Sequence, residues 1–393
     1  MKFCGIICEF NPFHNGHEYL IQEAKKLTGE DIICLMSGDF VQRGEPAIQE
    51  KYTRAKQAVL AGASAVIELP TIYACSNAEN FAFGAIKTLT ALNIKYLAFG
   101  VENAELNTLQ KIAEIKFQNS DTFVNSFKNE IENGISYNTA LKRAIAKEFN
   151  NDKTIEDLLT KPNNILAIEY LTAMLKLNSK LKPIAINRVD NGYYSNKENK
   201  QFLSASGIRN LILENKSYEK FIPEFVKFDT YFDKLCNLKF ESLLIWQLRK
   251  SSPNELEKLY DYTEGIEYRV KKKSDSNSSL NEIIENISTP RYRVQRVKKL
   301  TLYPLLNITK QAVDIAKKSK AVSKVLAISK SSKDFLSYAN KRKINLIASN
   351  KDYQNISKQQ KIVIDIDINA SNLYNTITNN PNNNDYKKGT LFV

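Results

Sequence analysis

The chain opens on a run that leaves little choice of fold: Ile6-Ile7-Cys8-Glu9-Phe10-Asn11-Pro12-Phe13-His14-Asn15-Gly16-His17. Phe3 to Cys8 is apolar apart from Gly5 and reads as a buried strand. Behind the loop, Tyr19, Leu20, Ala24 and Leu27 fall on one face of a helical pattern. A strand, a tight loop and a helix start form the place where α/β proteins hold a phosphate. The chain has two histidines, and both lie in this loop. His14 and His17 are spaced to share one face at a helix start. Two donor rings, free backbone N–H groups and the positive helix end would grip a polyphosphate. Gly16 between them lets a ligand come close to the backbone. The competing reading, ordinary polar loop residues, is disfavoured because both histidines of the chain are here.

The strand–helix rhythm then repeats. Asp31 to Ser37, Ala65 to Leu69 and Tyr96 to Phe99 read as strands, with helices over Glu50 to Gly62 and Asn77 to Leu92. Such alternation predicts a Rossmann-like parallel sheet with ligands at the carboxyl ends of its strands. That rim would gather the first loop, the Gly38 to Gly44 loop and Gly100. Residues 103–160 read as a helical insertion. Lys161-Pro162-Asn163-Asn164 opens a helix running to about Leu177. Pro183 to Ile186 is a fifth strand, leading to Arg188 and Asp190, and Leu203-Ser204-Ala205-Ser206-Gly207-Ile208-Arg209 opens another helix. The expected domains are therefore 1–230, the α/β nucleotide-binding part, and 231–393, a mainly helical part with a small α/β unit. In the second, Phe240 to Lys250 and Glu255 to Lys273 read as helices, and Val325 to Ile328 and Ile344 to Ile347 as strands. The Asn-rich Asn379 to Lys388 reads as loose.

Composition narrows the function classes. The 43% hydrophobic content supports real cores, and no run of apolar residues is long enough to span a membrane. The first residues run directly into a strand with no leader pattern, so the cytoplasm is the expected address. Cys4, Cys8, Cys34, Cys75 and Cys236 form no Cys-x-x-Cys pair and read as reduced core thiols. With both histidines in one loop, no protein metal centre is expected. A net charge of +13 favours a polyanionic partner, nucleic acid first; a Lys- and Asn-rich composition without functional meaning is the alternative.

Several residues can carry chemistry. Ser206 and Arg209, at a helix start, suit an anionic leaving group, although Ser is also a common helix cap. Arg188 could clamp a phosphate or stack on a base, or be a surface charge. Asn163 and Asn164 could read adenine or ribose, or cap their helix. Gly100 would let a nucleotide lie against the strand end, and Asp39 and Arg43 would line the acceptor side. Arg291, Arg293, Arg296 and Lys299 could track RNA phosphates with Tyr292 stacking on a base, or form a solvated helix face.

His-Asn-Gly-His resembles the His-x-Gly-His signature of nucleotidylyl transferases, and Ser204 to Arg209 resembles their Ser-rich phosphate element. More closely, Gly5 to His17, Ser37-Gly38-Asp39-Phe40-Val41-Gln42-Arg43-Gly44-Glu45-Pro46, Ala61-Gly62-Ala63, Glu68-Leu69-Pro70, Lys161 to Asn164 and Ser204 to Arg209 look like the bacterial tRNA(Met) cytidine acetate ligase family. The likeness is strong over residues 1–212 and weaker beyond. It implies a nucleotidylyl transferase fold and an ATP-dependent enzyme. Acetate would be activated as acetyl-adenylate and passed to N4 of the wobble cytidine of elongator tRNA(Met), without acetyl-CoA. It implies an ATP site made of Ile7, Cys8, Glu9, Phe10, Asn11, Pro12, Phe13, His14, Asn15, Gly16, His17, Glu18, Tyr19, Leu20, Gly100, Asn163 or Asn164, and Arg188. His14, His17, Ser206, Arg209 and Mg²⁺ would neutralise the phosphates. Ala167 departs from the family, which has Gly there. A nucleotidylyl transferase acting on a phosphorylated metabolite, and an RNA-binding protein with a relic nucleotide site, are the alternatives.

Overall fold

The computed structural model describes residues 2–135, 137–188, 202–342, 345–380, 385 and 387–393. Asp190 and Ile344 of the expected strand ends lie outside them. The strands are β1 (Phe3–Cys8), β2 (Asp31–Ser37), β3 (Phe40–Val41), β4 (Glu45–Pro46), β5 (Ala65–Leu69), β6 (Tyr96–Val101), β7 (Lys182–Asn187), β8 (Ser323–Ile328), β9 (Leu346–Ile347) and β10 (Leu391–Phe392). The helices of the first half are α1 (Asn15–Thr28), α2 (Lys51–Leu60), α3 (Thr71–Ala74), α4 (Ala78–Ala91), α5 (Leu106–Gln118), α6 (Asp121–Glu132), α7 (Tyr137–Glu148), α8 (Lys153–Leu158), α9 (Pro162–Lys176) and α10 (Ala205–Leu213). Those of the second are α11 (Lys234–Lys250), α12 (Pro253–Glu257), α13 (Ile266–Ser276), α14 (Leu280–Ile287), α15 (Val294–Leu306), α16 (Lys310–Lys318), α17 (Asp334–Lys341), α18 (Asn350–Asn355) and α19 (Lys358–Ile377).

The main sheet runs β10-β8-β5-β2-β1-β6-β7, with β9 beside β8. From β5 to β7 every pairing is parallel, with β1 central and paired to both β2 and β6. Chain order thus reverses direction at β1, so a crevice opens at its carboxyl end. That is where the His14–His17 loop sits. The buried apolar strands are covered on both faces, as a parallel sheet requires.

Several expectations change. The inward face of α1 is built on Ile21 and Ala24, while Leu27 is exposed. The segment expected as one helix from Glu255 to Lys273 is broken between α12 and α13, where Asp261, Glu264 and Gly265 take positive φ angles. The late α/β unit does not build a sheet of its own: β8 pairs antiparallel with β5, and β10 parallel with β8. Of the Asn-rich segment expected to be loose, residues 381–384 and 386 lie outside the described residues, and one described residue within it is held in the core. Asp385 is buried, and the Lys51 ammonium donates to its Oδ2 at 2.8 Å and to both Glu68 carboxylate oxygens at 2.8 Å. The Lys324 ammonium lies 3.3 Å from Asp385 Oδ1, and the Tyr52 hydroxyl donates to that oxygen at 3.1 Å. Burial pulls the Lys51 pKa down, but the charges of Asp385 and Glu68 outweigh it and hold it well above the usual lysine value.

Candidate active site

The rim at the end of β1 is built from the backbone outward. His14 precedes α1 in extended conformation, and its Nδ1 accepts from the Gly16 N–H at 3.1 Å. The imidazole is therefore the helix cap. A ring whose Nδ1 accepts must carry its proton on Nε2 when neutral. Among the described residues no partner takes that proton. Gly16 allows the fold-over, since a Cβ there would lie 3.0 Å from His14 Cε1. The His17 ring stacks on the His14 ring with centroids 3.6 Å apart, and meets Phe10 edge-on at 4.9 Å. His17 Nδ1 is buried without a partner. Both rings are held uncharged: burial, helped by the Arg188 charge, pushes His14 down to about 3. His17 is driven well below its ordinary value by burial, then by His14 and Arg188. The rim thus offers neutral N–H donors and a helix end, without two imidazolium charges.

The opposite wall comes from β6 and β7. Arg188 follows β7, its N–H donating to the Val101 carbonyl at 2.9 Å. Its stem covers Gly100, where a Cβ would lie 3.3 Å from Arg188 Cγ. Of the two asparagines, Asn164 is committed to the protein. Its Oδ1 accepts from the Glu102 N–H at 2.8 Å, and its amide donates to the carbonyls of Glu102 at 3.0 Å and Leu158 at 3.3 Å. It holds the strand end in place, whereas Asn163 is half-buried, its amide donating to the Glu102 carboxylate.

The third wall is α10. Ser204, the cap, accepts from the Gly207 N–H at 3.2 Å, and its hydroxyl lies 3.1 Å from that of Ser206. The Arg209 guanidinium donates to the Asn11 carbonyl and so ties α10 to the loop. Within the loop, Cys8, Phe10, Asn11, Pro12 and Phe13 are buried. Asn11 Oδ1 accepts from the Ile48 N–H at 2.7 Å, and the Asn15 amide donates to the Lys220 carbonyl at 3.0 Å. These residues shape the loop, leaving Ile7, Glu9, Gly16, Glu18, Tyr19 and Leu20 partly open at its surface.

Arg54 is a structural support of the rim that the sequence did not reveal. Buried in α2, it donates to the carbonyls of Gln49 at 2.9 Å, Ser37 at 3.1 Å, Glu9 and Gly38. It thereby fastens the carboxyl ends of β1 and β2, which set the rim. A basic residue in a helical stretch reads as a surface charge, so no local pattern marks it. Asp39 is also structural: Oδ1 accepts from the Lys51 N–H at 2.8 Å and Oδ2 from the Ser371 hydroxyl at 2.8 Å. Arg43 is exposed. Glu9 Oε1 accepts from the Gln42 N–H at 2.7 Å, and burial raises its pKa.

In the basic segment, Arg296 and Lys299 have partners within the protein, while Arg291 and Arg293 are exposed. Arg296 makes two bonds to the Asp261 carboxylate at 2.7 Å and lies over the Tyr292 ring at 4.2 Å. Lys299 donates to the Ser76 carbonyl at 2.9 Å, and burial lowers its pKa. Tyr292 is buried, and its hydroxyl donates to the Thr263 carbonyl at 2.8 Å. Arg291 is exposed and paired with Glu264, and Arg293 is exposed at the start of α15.

The chain matches the model of a HIGH nucleotidyl transferase family over residues 1–389. It is 41% identical over 321 residues to a tRNA(Met) cytidine acetate ligase of Thermoanaerobacter sp. (strain X514), covering 79% of each chain. It is 33% identical over 399 residues to a protein of the same name from Acetivibrio thermocellus, covering 97% of this chain and 96% of the other. Among solved structures it resembles Thermotoga maritima TmcAL, without ligand (TM-score 0.89) and bound with alpha-thio ATP (TM-score 0.88). Each is 26% identical and covers 100% of both chains.

Proposed function

The chain belongs to the HIGH nucleotidyl transferase family and, within it, to the tRNA(Met) cytidine acetate ligases, and from that premise we propose that it activates acetate with ATP and acetylates N4 of the wobble cytidine of elongator tRNA(Met). The observation that carries the reading is the pair of stacked, neutral imidazoles of His14, which caps α1, and His17, in its first turn, opposite Arg188, in a fold whose TmcAL relative binds an ATP analogue. ATP lies along the β1 rim, with its adenosine toward Gly100, Asn163 and Arg188. Its phosphates face His14 Nε2–H, His17, Ser206 and Arg209. An acetate oxygen attacks the α-phosphorus and pyrophosphate leaves, which calls for alignment and charge neutralisation and no protein nucleophile. The cytidine amine then takes the acetyl group from the adenylate, and AMP leaves; acetyl-CoA has no part.

Mg²⁺ would enter with the nucleotide. Among the described residues no group of three or more His, Cys, Asp or Glu could hold a metal, so the phosphate oxygens and water would be its main ligands. The tRNA body lies against the basic second half, residues 231–393. Among the described residues no helix is long and apolar enough to cross a membrane. ATP–pyrophosphate exchange with and without acetate tests the reading. Stimulation by acetate is expected. Stimulation only by a phosphorylated metabolite would make the protein a nucleotidylyl transferase, and RNA binding without any exchange would make it a relic.

A further inference from the structure

The rim has two ends. The Arg188 charge acts on both histidines, whereas Arg209 has Glu45, Arg43 and Glu9 as its charged neighbours. At the Arg209 end a cleft of about 190 Å³ opens between the β3–β4 hairpin, α10 and helices α11, α14 and α15. Arg209 belongs to both places: it donates to the Asn11 carbonyl of the nucleotide loop and it lines the cleft.

The lining says what could enter. Ile48, Phe240, Leu244 and Ile284 give apolar walls. Around them stand two carboxylates, Glu45 and Glu241, and the amides of Asn237 and Asn281. Glu45 is paired with the Lys298 ammonium at 2.6 Å, and Glu241 accepts from the Asn237 amide at 2.7 Å. Two carboxylates are poor company for a phosphate and good acceptors for an amino group. Apolar walls with a few convergent acceptors and amides suit a flat heterocycle bearing an exocyclic amine. The space is several times the ~30 Å³ share of a water molecule and larger than acetate needs.

We propose that this cleft seats the acceptor cytosine, turned out of its strand, with its amine at the Arg209 end. This rests on the ligase reading above. The amine nitrogen attacks the acetyl carbon, forming the N–C bond. The bond from that carbon to the AMP phosphate oxygen breaks, its electron pair leaves on AMP, and the amine proton passes to water at the open mouth. Uracil would turn a carbonyl oxygen toward the carboxylates where cytosine turns a donor, so the cleft also discriminates between the two bases.

Two variants test the cleft. Asn281→Trp fills its mouth from an exposed position on α14. Acetate-dependent ATP–pyrophosphate exchange and tRNA binding should stay near the parent's, while acetyl transfer to tRNA falls roughly tenfold or more. Undiminished transfer would overturn the proposal. So would exchange falling in step with transfer, because the cleft would then serve ATP or acetate. Glu241→Gln, which keeps the shape, covers the case in which the tryptophan variant fails to fold. Free cytidine should inhibit transfer by the parent more than free uridine does, and the variant should lose that preference; a parent with no preference, or a variant that keeps it, overturns the proposal. Exchange by the parent itself, with and without acetate, tests the ligase reading separately.

Discussion

The β1 rim and the Arg291–Lys299 segment both present themselves in the sequence as clusters of groups suited to phosphates, and the structure treats them in opposite ways. At the rim, uncharged imidazoles are packed against aromatic rings and each other, and the His14 Nε2 proton has no partner among the described residues. In the later segment, Arg296 is neutralised by Asp261 and Lys299 is turned onto the Ser76 carbonyl. Charge in a sequence is thus a weaker sign of a binding site than a donor whose other atoms are already occupied. His14 is legible as a site because Gly16 claims one nitrogen and leaves the other. Arg296 gives the same residue-level signal but has its guanidinium filled from within.

The contrast can be tested from its extremes inward. The largest effect is expected where a cation is wholly internal: Lys51→Met would leave Glu68 buried without its cation and Asp385 with Lys324 alone. Loss of one partner from a buried ion pair typically costs about 3–5 kcal/mol, which denaturant unfolding would read. Next comes His14→Asn. The new side-chain oxygen can still cap α1, but the shorter amide does not carry its N–H to the Nε2 position, so exchange should drop on the order of a hundredfold or more with circular dichroism unchanged. Near-normal exchange would remove the imidazole from the phosphate site. Alanine is the poorer test, because His14 is buried and truncation would also leave a cavity.

Smaller effects follow in the basic segment. Arg296→Ala should cost at most about 1 kcal/mol, the pair with Asp261 being partly open to solvent. It should leave the salt dependence of tRNA binding as it was, whereas loss of a true phosphate contact lowers that slope by somewhat under about one unit. A lowered slope for Arg296→Ala would put this segment back on the RNA surface. The smallest effect concerns pH. Because both rim histidines are neutral in the folded protein, exchange should show no histidine-dependent decline from pH 7 to 9. An enzyme needing imidazolium would lose activity as the pH rose through that of an ordinary histidine. For stability the sign is reversed. The unfolded chain takes up protons near 6.5 and the folded His14 only near 3, so stability falls as pH drops between those values. His14→Asn should flatten that part of the profile.

The first half was readable because its signals are local. A strand, a capped loop and an amphipathic helix declare themselves within a dozen residues, and the spacing of His14, Gly16 and His17 is itself the geometry of the cap. What could not be read depends on partners far along the chain. Arg54 serves four carbonyls drawn from three segments, and Asn164 differs from Asn163 only through what it meets at Glu102 and Leu158. The strand character of β8 was visible, but its pairing with β5 was not, because an apolar run carries no record of which edge it will join.

That late pairing bears on how the protein is made. Synthesis supplies β5 long before β8, and at about 5–20 residues per second the delay is on the order of tens of seconds. Throughout it the Ala65–Leu69 strand presents an open edge, and Lys51 and Glu68 wait for Asp385. Open strand edges invite pairing with other chains. A nascent chain halted on the ribosome before β8 should therefore be cleaved readily by protease within the first half, and one released at full length should resist. The nucleotide rim belongs to the beginning of the chain, yet its sheet closes only when the last strand arrives.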